Sequence, residues 1–141
     1  VSNAPSFTII RLRHRLVEAR VFHLRTREDA DGYSKALAAE VARFPKPSVL
    51  CADHRPVTIY APEVAVRLAE LFSLMNTRLE RAALLVAPSN ATLILQLGRI
   101  VRDAKFGKRQ VFREPEPALA HLREGLDAEE LARAAAFLDE S

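Results

Sequence analysis

Two short stretches of this chain, Val49-Leu50-Cys51-Ala52 and Ala82-Ala83-Leu84-Leu85-Val86-Ala87, are apolar without interruption. A strand with one wet face alternates apolar and polar residues, so unbroken runs of this length belong to strands covered on both faces. Each run lies between segments of helical period. Tyr33, Leu37, Val41 and Phe44 precede the first, Val64, Leu68, Leu71, Phe72 and Met75 separate the two, and Leu93, Leu97, Ile100 and Val101 follow the second. Strands joined through helices run parallel, because a right-handed crossover brings the chain back to the same end of the sheet. The expected fold class is therefore α/β. It should be a single layer of about five mostly parallel strands with an antiparallel edge pair and four to five helices.

The flanking segments extend this pattern. Phe7–Leu12 and Val17–Leu24 read as a strand pair, with a turn near Arg13–Leu16 that lacks Gly or Asn. Thr26 to Asp31 is an acidic helix start, and Pro45 and Pro47 end that helix. Pro62 suits the first turn of the next helix, which Asn76–Glu80 leaves as a loop. Ser89 or Asn90 caps the third, where Ile94 and Leu95 widen the apolar arc beyond the need of a surface helix. Arg109–Arg113 forms a last strand. Residues 114–124 form a helix with Leu119 and Leu122 inward and Gly125 beyond its end. Asp127 with Glu130 opens a final helix that buries Leu131, Ala134, Ala135 and Leu138.

A length of 141 residues with 49% hydrophobic side chains suits one domain with its own core. We assign it as a single domain over 1–141, with a core at about 7–124 and an acidic C-terminal helix at 127–140. The lone cysteine, Cys51, cannot form an internal disulfide, so a reducing cytoplasm is the expected compartment. Val1-Ser2-Asn3-Ala4-Pro5 shows no signal pattern, and no apolar run approaches the ~20 residues that span a bilayer. No membrane contact is expected.

The net charge of +3 is unevenly placed. Residues 1–27 carry six arginines against Glu18, whereas residues 114–141 carry Arg123 and Arg133 against eight acids. A basic edge can meet nucleic acid or an acidic partner. The plainer reading, which we prefer, is solvated faces. Arg11, Arg13 and Arg15 then share one strand face and guard an edge strand against aggregation. Nucleic acid is not an expected partner. Arginine outnumbers lysine 17 to 4 in an alanine-rich chain, which weakens any case that each arginine meets a phosphate.

Several stretches together resemble a known family. They are Val49-Leu50-Cys51-Ala52-Asp53, the helix opened by Ala61-Pro62-Glu63, Ala82–Ala87 followed by Ser89-Asn90, and the strand–acidic cap–helix from Gln110 to Leu122. In order and length of elements the chain resembles the STAS domain of sulfate transporters and anti-sigma-factor antagonists, and more closely its bacterial STAS-like branch. The likeness spans roughly residues 7–124. It implies a regulatory module that binds partners. In the family's classical members a Ser or Thr at the start of the helix after the central strand, near an Asp and a Gly, is phosphorylated. Here that junction reads Thr58-Ile59-Tyr60-Ala61-Pro62-Glu63. Ala and Pro stand where the hydroxyl belongs, and Asp53 matches the strand-end Asp only loosely. The phosphorylatable serine is therefore expected to be lacking, while the same loop remains the expected contact surface.

Catalytic chemistry is not expected. Cys51-Ala52-Asp53-His54 is the densest polar cluster, but strand alternation separates Cys51 and Asp53 from His54. His14, His23, His54 and His121 have no metal-ligand spacing, and no glycine-rich phosphate loop occurs. No cofactor and no metal are expected. The basic turn Lys105-Phe106-Gly107-Lys108-Arg109 reads as solvated. The expected function is a non-catalytic bacterial partner-binding module whose partner is another protein or itself, as a homodimer. The alternative is a binder of a small anionic or lipophilic ligand. Either would use Asp53, Thr58, Tyr60, Glu63, Ser89 and Asn90, at the carboxyl ends of the parallel strands where open α/β sheets bind ligands.

Overall fold

The computed structural model describes residues 5–140. Residues 1–4 and 141 lie outside the described residues, and with them the reading of the first residues as free of a signal pattern. One sheet holds five strands, β1 (Phe7–Arg13), β2 (Leu16–Val21), β3 (Ser48–Asp53), β4 (Leu79–Leu85) and β5 (Arg109–Phe112), side by side in that order. β1 and β2 are antiparallel and the later neighbours are parallel. Three helices cross between the parallel strands: α1 (Arg27–Ala42), α2 (Pro62–Met75) and α3 (Ala91–Ala104). α4 (Pro115–Arg123) and α5 (Ala128–Asp139) close the chain. The protein is α/β, with a mostly parallel five-stranded sheet, an antiparallel edge pair and five helices.

Each crossover steps one strand in the same direction. Crossovers of one hand then place α1, α2 and α3 on the same face. There Val17, Ala19, Val21, Leu50, Ala52, Ala82 and Leu84 pack with Tyr33, Leu37, Leu68, Leu71, Leu93 and Leu97. The alternate residues Leu16, Val49, Cys51, Ala83 and Leu85 meet Ala118 and Leu122 of α4 and Ala134, Phe137 and Leu138 of α5. The two apolar runs are unbroken because successive residues enter two different cores.

Several boundaries differ from the sequence reading. Leu79 and Glu80 belong to β4, not to a loop, and Leu79 is buried. β2 ends at Val21. Phe22 and His23 instead donate their backbone N–H groups to Ser6 O, and Leu24 enters the core. β5 stops at Phe112, one residue short of the expected end. Leu119, Leu131 and Ala135 are only half-buried, while Phe137 is fully packed. The β1–β2 turn manages without Gly or Asn because His14 adopts φ 40°, and Arg11 Nη1 donates to its carbonyl at 2.7 Å. Gly125 is not a left-handed cap, since no glycine has a positive φ. It sits where space is tight: a Cβ there would meet Val49 Cγ2 at 3.0 Å and the movable carboxylate end of Glu80 at 2.6 Å.

Arg13 is exposed, but Arg11 and Arg15 do not share a solvated face with it. Arg11 lies under α1, over the Phe44 ring and hydrogen-bonded to Glu40 and Ser48. Arg15 reaches Glu80 and Gly125 O on the opposite side. Arg109, read as part of a solvated turn, is buried between the Phe72 and Phe106 rings and bonded to Asn76 and Phe72 O. Burial pushes its pKa down to about 10. The basic start and acidic end of the chain meet each other across α5. Arg20 lies 3.6 Å from Glu140, His14 3.8 Å from Asp127, and Arg133 pairs with Glu18 at 2.7 Å. The capping box of α5 is also tied to the hairpin, because buried Glu130 accepts from Arg15 N at 2.9 Å.

Candidate functional site

The six expected site residues divide between two faces of the sheet. Asp53, the last residue of β3, points towards α5. Its carboxylate accepts from Arg20 Nε at 2.8 Å and from Arg55 N, Nε and Nη2 at 3.0, 2.9 and 3.2 Å. The same two guanidiniums donate to Phe137 O and Leu138 O, each at 2.7 Å, and so satisfy carbonyls in the last turn of α5. Burial opposes the Asp53 charge, but hydrogen bonds from Arg55 and Arg20 outweigh it and hold the pKa below the ordinary aspartate value. Asp53 is thus part of the clamp on α5 and does not join the other five.

The next residue, His54, turns to the opposite face by strand alternation. It is buried, with Nδ1 2.7 Å from the Tyr60 hydroxyl and the two rings edge to face. Burial lowers its pKa to about 4 against the pull of Asp53, so it is neutral at neutral pH. Burial likewise raises the Tyr60 phenol well above its ordinary value. Tyr60 is therefore an internal strut, not a surface hydroxyl. Its backbone pairs with one side chain, as Tyr60 N donates to Gln96 Oε1 at 3.0 Å and Gln96 Nε2 to Tyr60 O at 2.8 Å.

Asn90, rather than Ser89, caps α3. Its Oδ1 accepts from Leu93 N at 3.0 Å, while Nδ2 donates to Thr58 O at 2.8 Å and Val57 O at 3.2 Å. The loop between β3 and α2 is thus fastened to α3 twice, by Asn90 and by Gln96. Removing the first fastening in Asn90→Ala is expected to cost about 1–2 kcal/mol, a cap loss compounded by two freed carbonyls. A urea unfolding curve matching wild type would show that water replaces these bonds without penalty. Thr58, Glu63 and Ser89 are exposed, with Glu63 in the first turn of α2, where the helix dipole favours an acid. Ala61 is the N-cap of α2 and makes no side-chain cap.

Beside these loops a groove of about 470 Å³ runs between α2 and α3. It is lined by Ile59, Pro62 and Ala65 on one side and by Thr92, Leu95, Gln96, Arg99 and Ile100 on the other. Ile59 is 47% and Leu95 75% exposed. The sequence signal for this groove was the over-wide apolar arc at Ile94–Leu95. Gln96 carried no signal, because its partner lies on a loop 36 residues away. A second cleft, of about 460 Å³, lies at the ends of β2 and β3 among Arg20, Phe22, Asp53, Arg55, Pro56 and Glu140.

Two further groupings of reactive residue types lie elsewhere in the fold. Cys51 is buried, and burial, with the nearby Asp53 and Glu18 charges, pushes its thiol pKa up, so it is held as a thiol. His14, Asp127 and Glu130 bring possible ligand atoms within 4.8 Å of one another. Their carboxylates, however, form the capping box of α5 and accept from Arg15 N. A helix N-terminus also favours negative charge over a cation. Among the described residues, no helix is long and apolar enough to cross a membrane. Neither a family model nor a curated protein matches the chain.

Proposed function

We propose that the protein is a non-catalytic bacterial regulatory module of STAS-like type, working in the cytoplasm by docking a protein partner in the groove between α2 and α3. The observation that carries this reading is Leu95, a large apolar side chain 75% exposed in the middle of a helix, beside a groove that continues to Ile59 and Pro62. A leucine left in water there has no role in either core, and covering it would release the apolar free energy of a side chain. Arg99 on the rim supplies a cation for an acidic neighbour in the partner.

Three further features support it. The sheet adds each parallel strand on the same side, in keeping with the element order on which the STAS likeness rests. The polar groups close to the groove, Asn90 and Gln96, are already bonded to the β3–α2 loop, which presents a preformed surface rather than a set of free reactive groups. Finally, Ala61 is the cap of α2 and Tyr60 is buried, so the solvent-facing hydroxyl of the loop is Thr58, and the start of α2 itself carries no hydroxyl.

The test is affinity purification from the source organism with wild type, Leu95→Asp and Leu74→Asp in parallel. Leu74 is also exposed, 55%, but does not line the groove. A protein retained stoichiometrically by wild type and Leu74→Asp and reduced at least tenfold by Leu95→Asp is the expected result. Equal retention by all three would overturn the reading. The second cleft favours a small anionic or lipophilic ligand as the alternative. Against it, both guanidiniums bordering that cleft already donate to Asp53 and to the end of α5. A ligand carried through native mass spectrometry and lost in Phe22→Ala would support that alternative instead.

A further inference from the structure

The end of the sheet where the parallel strands begin offers a second surface, independent of the groove. The loops that lead into β3, β4 and β5 lie side by side there, as Ser48 N donates to Arg78 O at 3.1 Å and Ala82 N to Lys108 O at 2.9 Å. They bring together cations that are scattered in sequence: Lys46, Arg78, Lys105 and Lys108, with Arg102 in the last turn of α3. All five are exposed, and Lys46 and Arg78 line one pocket of about 250 Å³ together with Thr77. Among the described residues, none of the five has a carboxylate within 4.0 Å, whereas Glu40, Glu80 and Glu124 at the same end are paired with Arg11, Arg15 and Arg81. Asp103, beside Arg102, is the acid of this rim, and the acids that open α5 lie farther along, by His14 and Arg15 at the start of β2. The rim therefore holds cations in excess.

Helices α1, α2 and α3 end at this rim, where a cation stabilises the last carbonyls. That role is already filled, by Arg11 at Glu40 O, Arg109 at Phe72 O and Asn76 at Ala104 O, at 2.9, 3.0 and 2.6 Å. Nor does an arginine-rich composition account for the cluster, since three of the chain's four lysines stand on it. We propose that the rim binds the phosphate backbone of a nucleic acid without reading its sequence. Exposed ammonium and guanidinium groups neutralise phosphates and release their condensed counterions, which supplies non-specific affinity. The row crosses two strand spacings of about 4.8 Å, enough for about three phosphates of one strand at about 3.4 Å of rise each. A protein partner is usually held at a desolvated apolar anchor. No large aliphatic or aromatic side chain of these loops is exposed, and Phe44 and Phe106 lie under Arg11 and Arg109. Base reading needs free amides or other forked groups, and the Asn76 amide is bonded on both sides, to Ala104 O and to Arg109. The gathering of these cations at one end reverses the expectation that nucleic acid is no partner.

Fluorescence anisotropy of the full-length chain with labelled DNA duplexes of about 20 base pairs tests this. Binding is expected with a Kd of about 10 μM or tighter at about 50 mM salt, equal for two unrelated sequences, and with log K falling against log salt at a slope of about −3. Lys46→Glu, Lys105→Glu and Lys108→Glu combined should weaken it by about thirtyfold or more. Lys35→Glu, exposed on α1 away from the rim, should change it less than about twofold. Leu95→Asp should leave it unchanged, which separates this surface from the groove. The rim side chains are exposed, so urea midpoints of the variants should match wild type, and Arg78→Glu alone, with a loss of about fivefold, serves if the triple variant fails to fold. Absence of binding at about 50 mM salt, binding that the rim variants retain, or a preference above about tenfold for one sequence would each overturn the proposal. Displacement of the DNA by phosphatidylserine vesicles or by poly-glutamate at equal charge would also overturn it, and would make the rim a contact for a membrane or for an acidic protein.

Discussion

Arg133→Ala is expected to cost about 3–5 kcal/mol of stability, because it strands a buried carboxylate. Glu18 is buried in the middle of β2, opposite Cys51 of β3, and α5 lies over it. Arg133 Nε and Nη2 each donate to one Glu18 oxygen at 2.7 Å, a bidentate pair that leaves the carboxylate satisfied without water. With arginine removed, the charge must be held desolvated, protonated at a cost, or exposed by lifting α5. Replacing both partners with apolar residues, as in Glu18→Leu with Arg133→Leu, is expected to recover most of the loss, since the desolvation penalty vanishes together with the attraction. Urea unfolding of Arg133→Ala at pH 7, and of Glu18→Leu, Arg133→Leu and their double variant as a double-mutant cycle, checks this. A single-variant loss below about 1 kcal/mol, the scale of an exposed pair, would mean that water reaches Glu18.

Acidification from pH 6.5 towards 4 is expected to remove about 3 kcal/mol through His54 alone. Its pKa is lowered to about 4 by burial, while an unfolded histidine titrates near 6.5. Between these values the unfolded chain binds a proton that the folded chain refuses, so stability is full above about 6.5 and falls as pH drops to about 4. Asp53 acts in a separate window. Its folded pKa is lowered, so its contribution is present above the unfolded value, near 3.9, and fades only below it as pH falls through the folded pKa. His54→Gln, which leaves a partner for the Tyr60 hydroxyl but cannot titrate, should flatten the upper window and leave the lower one. Urea midpoints measured across pH for both proteins provide the check. An unchanged slope in His54→Gln would assign the upper window to another group.

Both effects arise where sequence reading was least informative. The apolar runs at Val49 and Ala82 and the helical stripes around Tyr33, Leu68 and Leu97 placed the central strands and their helices, because burial on two faces and a 3.6-residue period leave a direct imprint on residue type. Asn90 as a cap and the Asp127–Glu130 capping box were legible for the same reason, being local backbone chemistry. The groove was half-legible, through the excess apolar Leu95. Gln96, Arg133 and Arg11 were not. A polar residue at the margin of a buried stripe looks the same in sequence whether it meets water or a loop 36 residues away.

Asp53 and Tyr60 show the limit most clearly. Both stand in the region at the carboxyl ends of the strands, and both are hydrophilic types that a sequence reading assigns to a surface. The structure sends Asp53 towards α5, while His54 after it turns to the opposite layer and its ring holds the hydroxyl of the loop residue Tyr60 in the core. The α/β class, the crossovers and the burial of the central strands on both faces were written in the order of residues, since all three rest on period and burial. That the first hairpin and the last helix are tied together by ion pairs of both polarities, Arg20 with Glu140 and Glu18 with Arg133, emerged only on folding. Pairs such as Glu18 with Arg133 are 115 residues apart, and Coulomb attraction depends on distance in space and on local burial, neither of which the order of residues encodes.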